Sequence, residues 1–217
     1  MKIIILLILF FSTVFVACSD DEGPAVSTCN DGMQNGMETG IDCGGTCDPC
    51  FSLGDIGPGN GIIFYDKGFV SDCWQYIEAS RSDQEEGVIW GCYNNFIGNT
   101  LREIGSGKEN SDMVRQSCCS SFNPNTCRYP RRAFLVCENY RSGQTLSTQK
   151  DDWFLPSRDE LHQMYLMKDL IGEFRNMAYW SSTEERDEDA WVIEFSTGDQ
   201  YCDFKYNERR VRAIRRF

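Results

Sequence analysis

The alternation of apolar and polar residues changes character twice along the chain. Residues 3–16 form an apolar run that only two hydroxyl residues interrupt. Residues 19–50 are mostly polar and lack the periodicity of a helix or a strand. From residue 51 onward, short apolar stretches alternate with polar ones and with turn residues, as in a globular domain. The pattern divides the chain into a leader (1–17), a tether (18–28), a small segment (29–50) and a large domain (51–217).

Several short strands are predicted in the large domain. Residues 61–66 are mostly apolar and follow a turn rich in glycine and proline. Residues 190–196 alternate, which places Trp191, Ile193 and Phe195 on one face of a strand. The next two residues, Thr197-Gly198, predict a hairpin turn. The predicted strands span 61–66, 74–79, 88–90, 178–182, 190–196, 199–205 and 209–216.

The clearest helix begins after Ser157, because Ser157-Arg-Asp-Glu160 has the form of a capping box. Apolar residues recur behind it on one predicted helix face: Leu161, Met164, Tyr165 and Leu170. Further helices are predicted at 110–118 and 131–139, and the loop between them, 118–129, has the composition of a disulfide-linked loop. Short strands with two or three helices, and no repeated βαβ unit, indicate an α+β domain with short antiparallel sheets.

Residues 1–17 have the form of a bacterial signal peptide. Their apolar run is shorter than the roughly 20 residues of a membrane span. The run ends in Phe15-Val16-Ala17-Cys18, which resembles a lipobox, so we expect Cys18 to become the lipid-bearing first residue. The acids after Cys18 resemble the surface-export signal of Bacteroidota lipoproteins. We therefore expect a surface-exposed outer-membrane lipoprotein held by its lipid anchor; the alternative is an ordinary signal peptide with a chance cysteine.

The charge of the chain is negative and unevenly distributed. The formal net charge is −12, which argues against nonspecific binding to nucleic acid. Residues 18–50 carry seven acids and no base, whereas residues 205–217 carry six bases and one acid. In a single strand over 209–216 the arginines would alternate between two faces, and some of them would pair with acids.

Twelve cysteines in an exported chain indicate disulfides. With Cys18 lipidated, eleven remain, so at least one thiol is free or pairs between chains. Residues 29–50 hold four of the cysteines and too little apolar material for a core. Their pattern, C-x-D-G-x-x-N-G-x-E-T-x-x-D-C-G-G-x-C-x-x-C, resembles a small Cys-rich module of bacterial surface proteins. We predict two disulfides, in one of three possible pairings, among Cys29, Cys43, Cys47 and Cys50.

Oxygen-bearing side chains in this small segment raise a calcium hypothesis, with four candidate ligands: Asp31, Asn35, Glu38 and Asp42. Calcium takes about six to eight hard oxygen ligands from flexible loops. The spacing is not that of an EF-hand, and a disulfide-linked polar linker with solvated acids is the alternative. No other cofactor is predicted.

The large domain contains, in order, a set of motifs that resemble one family: Gly61-Ile-Ile-Phe-Tyr, Val88-Ile-Trp-Gly-Cys92, Asp152-Trp-Phe-Leu-Pro-Ser-Arg-Asp-Glu-Leu161, Tyr179-Trp-Ser-Ser-Thr-Glu184, Ala190-Trp191 and Val211-Arg-Ala-Ile-Arg215. Over about residues 54–217 the chain is similar to the domain named after the C-terminal region of the Legionella collagen-like adhesin. The resemblance implies a C-type-lectin-like fold, related to that of formylglycine-generating enzymes. It also implies a place in adhesive surface proteins; the founding member binds sulfated glycans. The motif aromatics are expected mainly in the core.

No catalytic constellation stands out in the sequence. His162 is the single histidine, and we expect it to be a solvated surface residue. The motifs of α/β-hydrolases, zinc proteases and phosphate-binding loops are absent. Formylglycine-generating enzymes use a late cysteine pair, whereas only Cys202 follows Cys137. We therefore expect no enzymatic activity; an enzyme of that class and a purely structural surface domain are the alternatives.

We expect instead a binding or adhesion module for an extracellular glycan or a surface protein. In lectin-like folds, loops on one side of a small sheet present polar and aromatic groups that suit sugar hydroxyls and rings. The candidate loops are 184–189 and 205–209. They contain six candidate ligand-binding residues: Glu184, Asp187, Asp189, Lys205, Asn207 and Arg209.

We expect Cys18→Ser to release the protein from membranes, because the thiol that carries the lipid is removed. Membrane fractionation of wild type and variant, with mass spectrometry of the N-terminal peptide, measures this. A variant that stays with the membrane, together with a wild-type peptide free of acyl groups, would contradict the lipoprotein interpretation.

Overall fold

The computed structural model describes residues 29, 31–34, 38–45, 47–118, 131–143 and 149–217. These residues form an α+β fold, as the sequence predicts. In chain order the elements are β1 (Ile62–Ser71), β2 (Trp74–Ala79), β3 (Glu85–Ile89), α1 (Gly107–Cys118), α2 (Ala133–Glu138), α3 (Arg158–Leu166), α4 (Lys168–Ile171), β4 (Ala178–Glu184), β5 (Asp189–Glu194), β6 (Gln200–Phe204), β7 (Glu208–Val211) and β8 (Ile214–Arg216).

The strands form two sheets, of order β1-β2-β8 and β3-β7-β4-β5-β6. Neighbouring strands are antiparallel except β4 and β7, which meet in parallel at Tyr179 and Arg210. The larger sheet lies between two apolar clusters. Along β4 and β5 successive side chains enter opposite clusters: Trp180 and Val192 belong to one, and Tyr179 and Ile193 to the other. This sheet therefore buries both faces.

Burial on both faces corrects the expectation of a strand over 190–196 with a single apolar face. Phe195 and Ile193 are buried on the predicted face, but Val192 is buried on the opposite one. Trp191 is only half-buried, and its ring contacts the Arg158 guanidinium, which lies 4.4 Å from the ring centre.

Helix α3 begins at the predicted capping box. The Ser157 amide donates to the Glu160 carboxylate at 2.6 Å, and the Glu160 amide donates to the Ser157 hydroxyl. The Gly105 amide also donates to Glu160, which is fully buried. The predicted apolar face was wrong at Leu170, which is 44% exposed. Helix α3 ends at Leu166 and the short α4 changes the phase of the helix, so Ile171 is buried instead.

The single strand predicted over 209–216 is also wrong, because β7 and β8 belong to different sheets. The chain leaves the ladder at Arg212, whose side chain is completely buried. The Arg212 guanidinium pairs with Asp83 at 2.7 Å and donates to backbone carbonyls of Ser80 and Glu173. The arginine therefore serves as an internal tie between loops and faces no solvent.

The cysteines of the small segment pair within it, as Cys29–Cys47 and Cys43–Cys50. Cys118 bonds to Cys92, so the start of the predicted disulfide-linked loop is anchored, whereas residues 119–130 lie outside the described residues. The leader, the tether and Cys18 also lie outside them. No helix in the described part of the chain is long and apolar enough to cross a membrane.

The buried capping box makes stability depend on pH. Burial raises the pKa of Glu160 to about 7, against hydrogen bonds from Ser157 and Gly105 that lower it. The folded chain therefore holds this proton more tightly than the unfolded chain. The resulting stabilisation is fully present below the unfolded pKa of 4.5 and is lost as the pH rises through 7.

We expect the free energy of unfolding to fall between pH 5 and pH 8 by on the order of 3 kcal/mol more in wild type than in Glu160→Gln, which cannot ionise. Urea denaturation at several pH values measures both slopes. Equal slopes would contradict the assignment.

Candidate functional site

The two loops that the sequence nominates are joined by a buried ion pair. Glu184 ends β4 and Lys205 follows β6, and their side chains contact each other at 1% and 0% exposure. The Lys205 ammonium also donates to the backbone carbonyls of Asn95 and Asp187. The Glu184 carboxylate accepts the amides of Ile97 and Gly98. One ion pair thus connects three segments, 94–98, 184–189 and 205–207.

This geometry changes the roles expected for Glu184 and Lys205. Both were candidate ligand contacts, but the structure buries their charged groups and fills their hydrogen-bonding positions with protein atoms. Burial lowers the pKa of Lys205, and the Glu184 carboxylate opposes that shift. The Trp90 ring, 4.8 Å from the ammonium, closes the inner side. The pair shapes the surface without reaching a ligand.

The exposed face of these segments carries three aromatic rings, here named the aromatic surface: Tyr93, Phe204 and Tyr206. Phe204 and Tyr206 stack with a centroid distance of 5.3 Å and an interplanar angle of 8°. Tyr93 meets Tyr206 edge-on at 4.9 Å. The rings are 41%, 43% and 51% exposed, in chain order. Because Lys205 turns inward, its neighbours Phe204 and Tyr206 both face solvent.

Polar groups surround the aromatic surface. The Asn207 amide donates to the Asp203 carboxylate at 2.7 Å, and Asp203 also pairs with Arg209 at 2.5 Å. Burial raises the pKa of Tyr93, and the negative charge of the Glu188 carboxylate raises it further. The surface therefore combines flat apolar rings with amide and carboxylate groups.

The remaining predicted ligand residues divide between this surface and internal contacts. Asp187 is exposed, although its backbone carbonyl accepts from Lys205 and from the Asn94 amide. The Asp189 carboxylate pairs with Arg186 at 3.4 Å, and Arg209 pairs with Asp203. Asn207 is half-buried beside the rings. The sequence prediction found the loops but missed the rings; an aromatic residue on each side of Lys205 was the signal for them.

A second recess, of about 620 Å³, lies beside the start of β3. Its central carboxylate, Asp83, already pairs with Arg210 and Arg212 and accepts the Tyr179 hydroxyl. These internal pairs leave Asp83 little capacity for a ligand, so the recess is the weaker candidate.

The predicted calcium ligands do not converge in the described residues. Asp42 is buried, and its carboxylate accepts the amides of Asp31 and Gly32, whose positive hydrogens would oppose a cation there. Glu38 groups instead with Cys29 and Cys47, and that group is the one set of three potential ligand residues within 4.8 Å found in the described part of the chain. Both of its sulfurs are in one disulfide, which removes their ligand character. Asn35 lies outside the described residues.

Two free thiols and the single histidine are the other reactive groups of the described residues. His162, on α3, is half-buried and lies parallel to the Tyr165 ring at 6.4 Å. Cys137 on α2 and Cys202 on β6 carry free thiols. Burial raises the pKa of Cys137 well above its ordinary value, so this thiol is a weak nucleophile.

We expect Lys205→Met to lower the free energy of unfolding by about 3 to 5 kcal/mol, because the Glu184 charge stays buried without its partner. The double variant Lys205→Met/Glu184→Gln should recover part of that loss, since the uncompensated charge is gone. Urea denaturation of the four-member cycle measures the coupling. Arg186→Met, which breaks an exposed pair with Asp189, is the control and should change stability by less than about 1 kcal/mol. Additive single effects would contradict the role of the pair.

The large domain matches the Lcl C-terminal domain family over residues 80–215. This span of 136 residues (215 − 80 + 1) exceeds half of the 217-residue chain and contains the ion pair and the whole aromatic surface. No curated protein matches the chain. All of the motifs that carried the resemblance except Gly61–Tyr65 lie inside the matched span, and the chain belongs to the Lcl C-terminal domain family.

Proposed function

We propose that this protein is a cell-surface lipoprotein whose large domain is a non-catalytic binding module for an uncharged extracellular glycan. Membership of the Lcl C-terminal domain family points to a surface adhesin-like module. The aromatic surface is the proposed contact site. The leader and the lipobox-like Cys18 are the basis for placing the protein at the outer membrane, where the lipid is its anchor.

The observation that carries the proposal is the pair of stacked, exposed rings beside a side-chain amide and carboxylates. Aromatic rings offer flat apolar area, which the C–H face of a sugar ring can cover. Glu188 and the Asn207 amide lie where hydroxyl groups around that sugar could be bound, and Asp203, itself occupied by Arg209, positions the Asn207 amide. Binding sites commonly combine such apolar area with a few fixed polar groups. The Lys205–Glu184 pair holds the loops in place, so little ordering would be needed on binding.

Charge favours an uncharged glycan over a sulfated one. Each cation of the two loops has a carboxylate partner: Lys205 is buried with Glu184, Arg209 pairs with Asp203, and the exposed Arg186 pairs with Asp189. Arg212 and Arg215, further along, are buried in ion pairs as well. A polyanion would meet the Asp187 and Glu188 carboxylates and a chain with a net charge of −12.

A C-type-lectin-like fold forms part of the proposal. Two small sheets, antiparallel except between β4 and β7, support it, together with short helices and long loops that converge at one end of the larger sheet. The alternative of an enzyme related to formylglycine-generating enzymes is disfavoured, because the thiols of Cys137 and Cys202 both have raised pKa values and lie on separate elements. A purely structural domain, or one that binds a surface protein, is the remaining alternative, and glycan binding distinguishes between them.

We expect Tyr206→Ala to weaken glycan binding about tenfold, or about 1.4 kcal/mol, because the central ring of the aromatic surface is lost. Phe204→Ala should act in the same direction. The matched control is Phe69→Ala, which removes another exposed ring, far along the chain on β1. A glycan array probed with the secreted Cys18→Ser protein, followed by calorimetry on the best ligand, measures the effect.

Binding to heparin, measured across a series of salt concentrations, tests the alternative of a sulfated glycan. Tight, salt-sensitive heparin binding that survives Tyr206→Ala would contradict both the ligand class and the site. No glycan signal, with a protein partner recovered from host or neighbouring cells, would favour the docking alternative.

A further inference from the structure

Strand β6 forms one edge of the larger sheet, and its outer side is open in the part of the chain that the structure describes. On its inner side it pairs with β5 in an unbroken register from Asp189–Phe204 to Ile193–Gln200. An open edge exposes backbone donors and acceptors that can bind another strand.

The hydrogen bonds to β5 determine which backbone groups face outward. The backbone amide of Lys205 donates to the Glu188 carbonyl, and the backbone amide of Glu194 donates to the Asp199 carbonyl. Hydrogen-bonded pairs alternate along an antiparallel ladder, so Asp203 and Tyr201 also bond inward. The N–H and C=O groups of Gln200, Cys202 and Phe204 therefore point away from β5. Those of Phe204 are occupied by the Asp203 side chain and the Asn207 amide. Gln200 and Cys202 keep outward groups for a partner.

The other edges are protected and β6 is not. Strands β1 and β3, each at an edge, contain register shifts that disrupt the ladder. Strand β8, at the remaining edge, is covered by a bridge between Ile214 and Phe154. Strand β6 has a regular register and contains no lysine or proline, the residues that commonly prevent edge pairing.

The centre of this edge carries the free thiol of Cys202, which is partly exposed. The charges around it balance: Glu185 and Asp189 are acidic, and Arg158 and Arg186 are basic. On the other face, around Tyr201, Asp203 pairs with Arg209, and Glu194 adds one acidic charge. The paired charges therefore limit the repulsion between two such edges, despite the negative net charge of each chain.

We propose that two copies of this chain pair antiparallel through their β6 strands, about a twofold axis at Cys202. Cys202 of one copy then lies opposite Cys202 of the other, Tyr201 opposite Asp203, and Gln200 opposite Phe204. Because the Phe204 backbone groups are already occupied, the backbone bonds of this pairing are those between the two Cys202 residues. The two central residues exchange N–H···O=C bonds, which places their Cα atoms about 5.5 Å apart. That separation lies within the range of about 4.4 to 6.8 Å that a disulfide spans. Both thiols lie on the same face of the joined sheet.

Mild oxidation of the purified Cys18→Ser protein tests the register. Oxidised glutathione is the oxidant: the two thiols lose two protons and two electrons as the S–S bond forms, and one glutathione disulfide becomes two glutathione thiols. Partial burial, and then Glu185 and Asp189, raise the pKa of Cys202 to about 11, so the reaction needs alkaline buffer and hours. We expect a disulfide-linked dimer on non-reducing gels, and its loss in Cys202→Ser.

Single cysteines placed elsewhere on β6, in the Cys202→Ser background, distinguish cross-linking in the proposed register from cross-linking by random collision. Gln200→Cys alone should give no dimer, because residue 200 faces residue 204 of the other copy. A mixture of Gln200→Cys and Phe204→Cys proteins should give the mixed dimer selectively. Self-linked Gln200→Cys, or an undiminished dimer in Cys202→Ser, would overturn the proposal. So would a wild type that stays monomeric in sedimentation and does not cross-link. Glycan binding measured on Cys202→Ser is an independent readout, so failure here leaves the proposed function testable.

Discussion

A buried positive charge must have partners, and that requirement organises this domain. Lys205 and Arg212 are completely buried, and Arg215 nearly so. Each would be strongly unfavourable in an apolar interior unless carboxylates and carbonyls surrounded it. The basic C-terminal segment therefore draws other parts of the chain to itself: Glu184 to Lys205, Asp83 to Arg212, and Glu78 with Asp152 to Arg215.

Each of these cations fixes loops that have no regular structure of their own. Arg212 donates to carbonyls at 80 and 172–173, next to the recess beside β3. Glu78, held by Arg215, accepts the amides of Gly59 and Gly61 in the turn before β1. Lys205 binds the carbonyls of Asn95 and Asp187 and so connects two loops below the aromatic surface. The exposed rings thus rest on a rigid base of internal polar contacts, although they lie outside the two apolar clusters.

The sequence predicted what depends on neighbours along the chain. Strand 74–79 and the Ser157 cap were correct because alternation and the capping box are local signals. Three features depend on distant partners: the burial of Lys205, the break at Arg212 and the exposure of Leu170. Neither periodicity nor a count of charges can predict such partners. The arginines of 209–216 were expected in a single strand, because local patterns cannot identify a partner such as Asp83, which lies 129 residues from Arg212.

The long reach of these contacts also bears on when the domain can fold. Arg215 meets Glu78 across 137 residues, and the Lys205 ammonium meets the Asn95 carbonyl across 110. Pairings so distant in sequence form late and slowly, because the intervening chain must be closed into a loop first. During synthesis, β2 can pair with β1, but it lacks β8, and the 94–98 loop lacks Lys205, until residues 205–216 have been made. A chain without residues 205–216 therefore lacks these contacts, and the outer edge of β2 and the 94–98 loop stay unpaired.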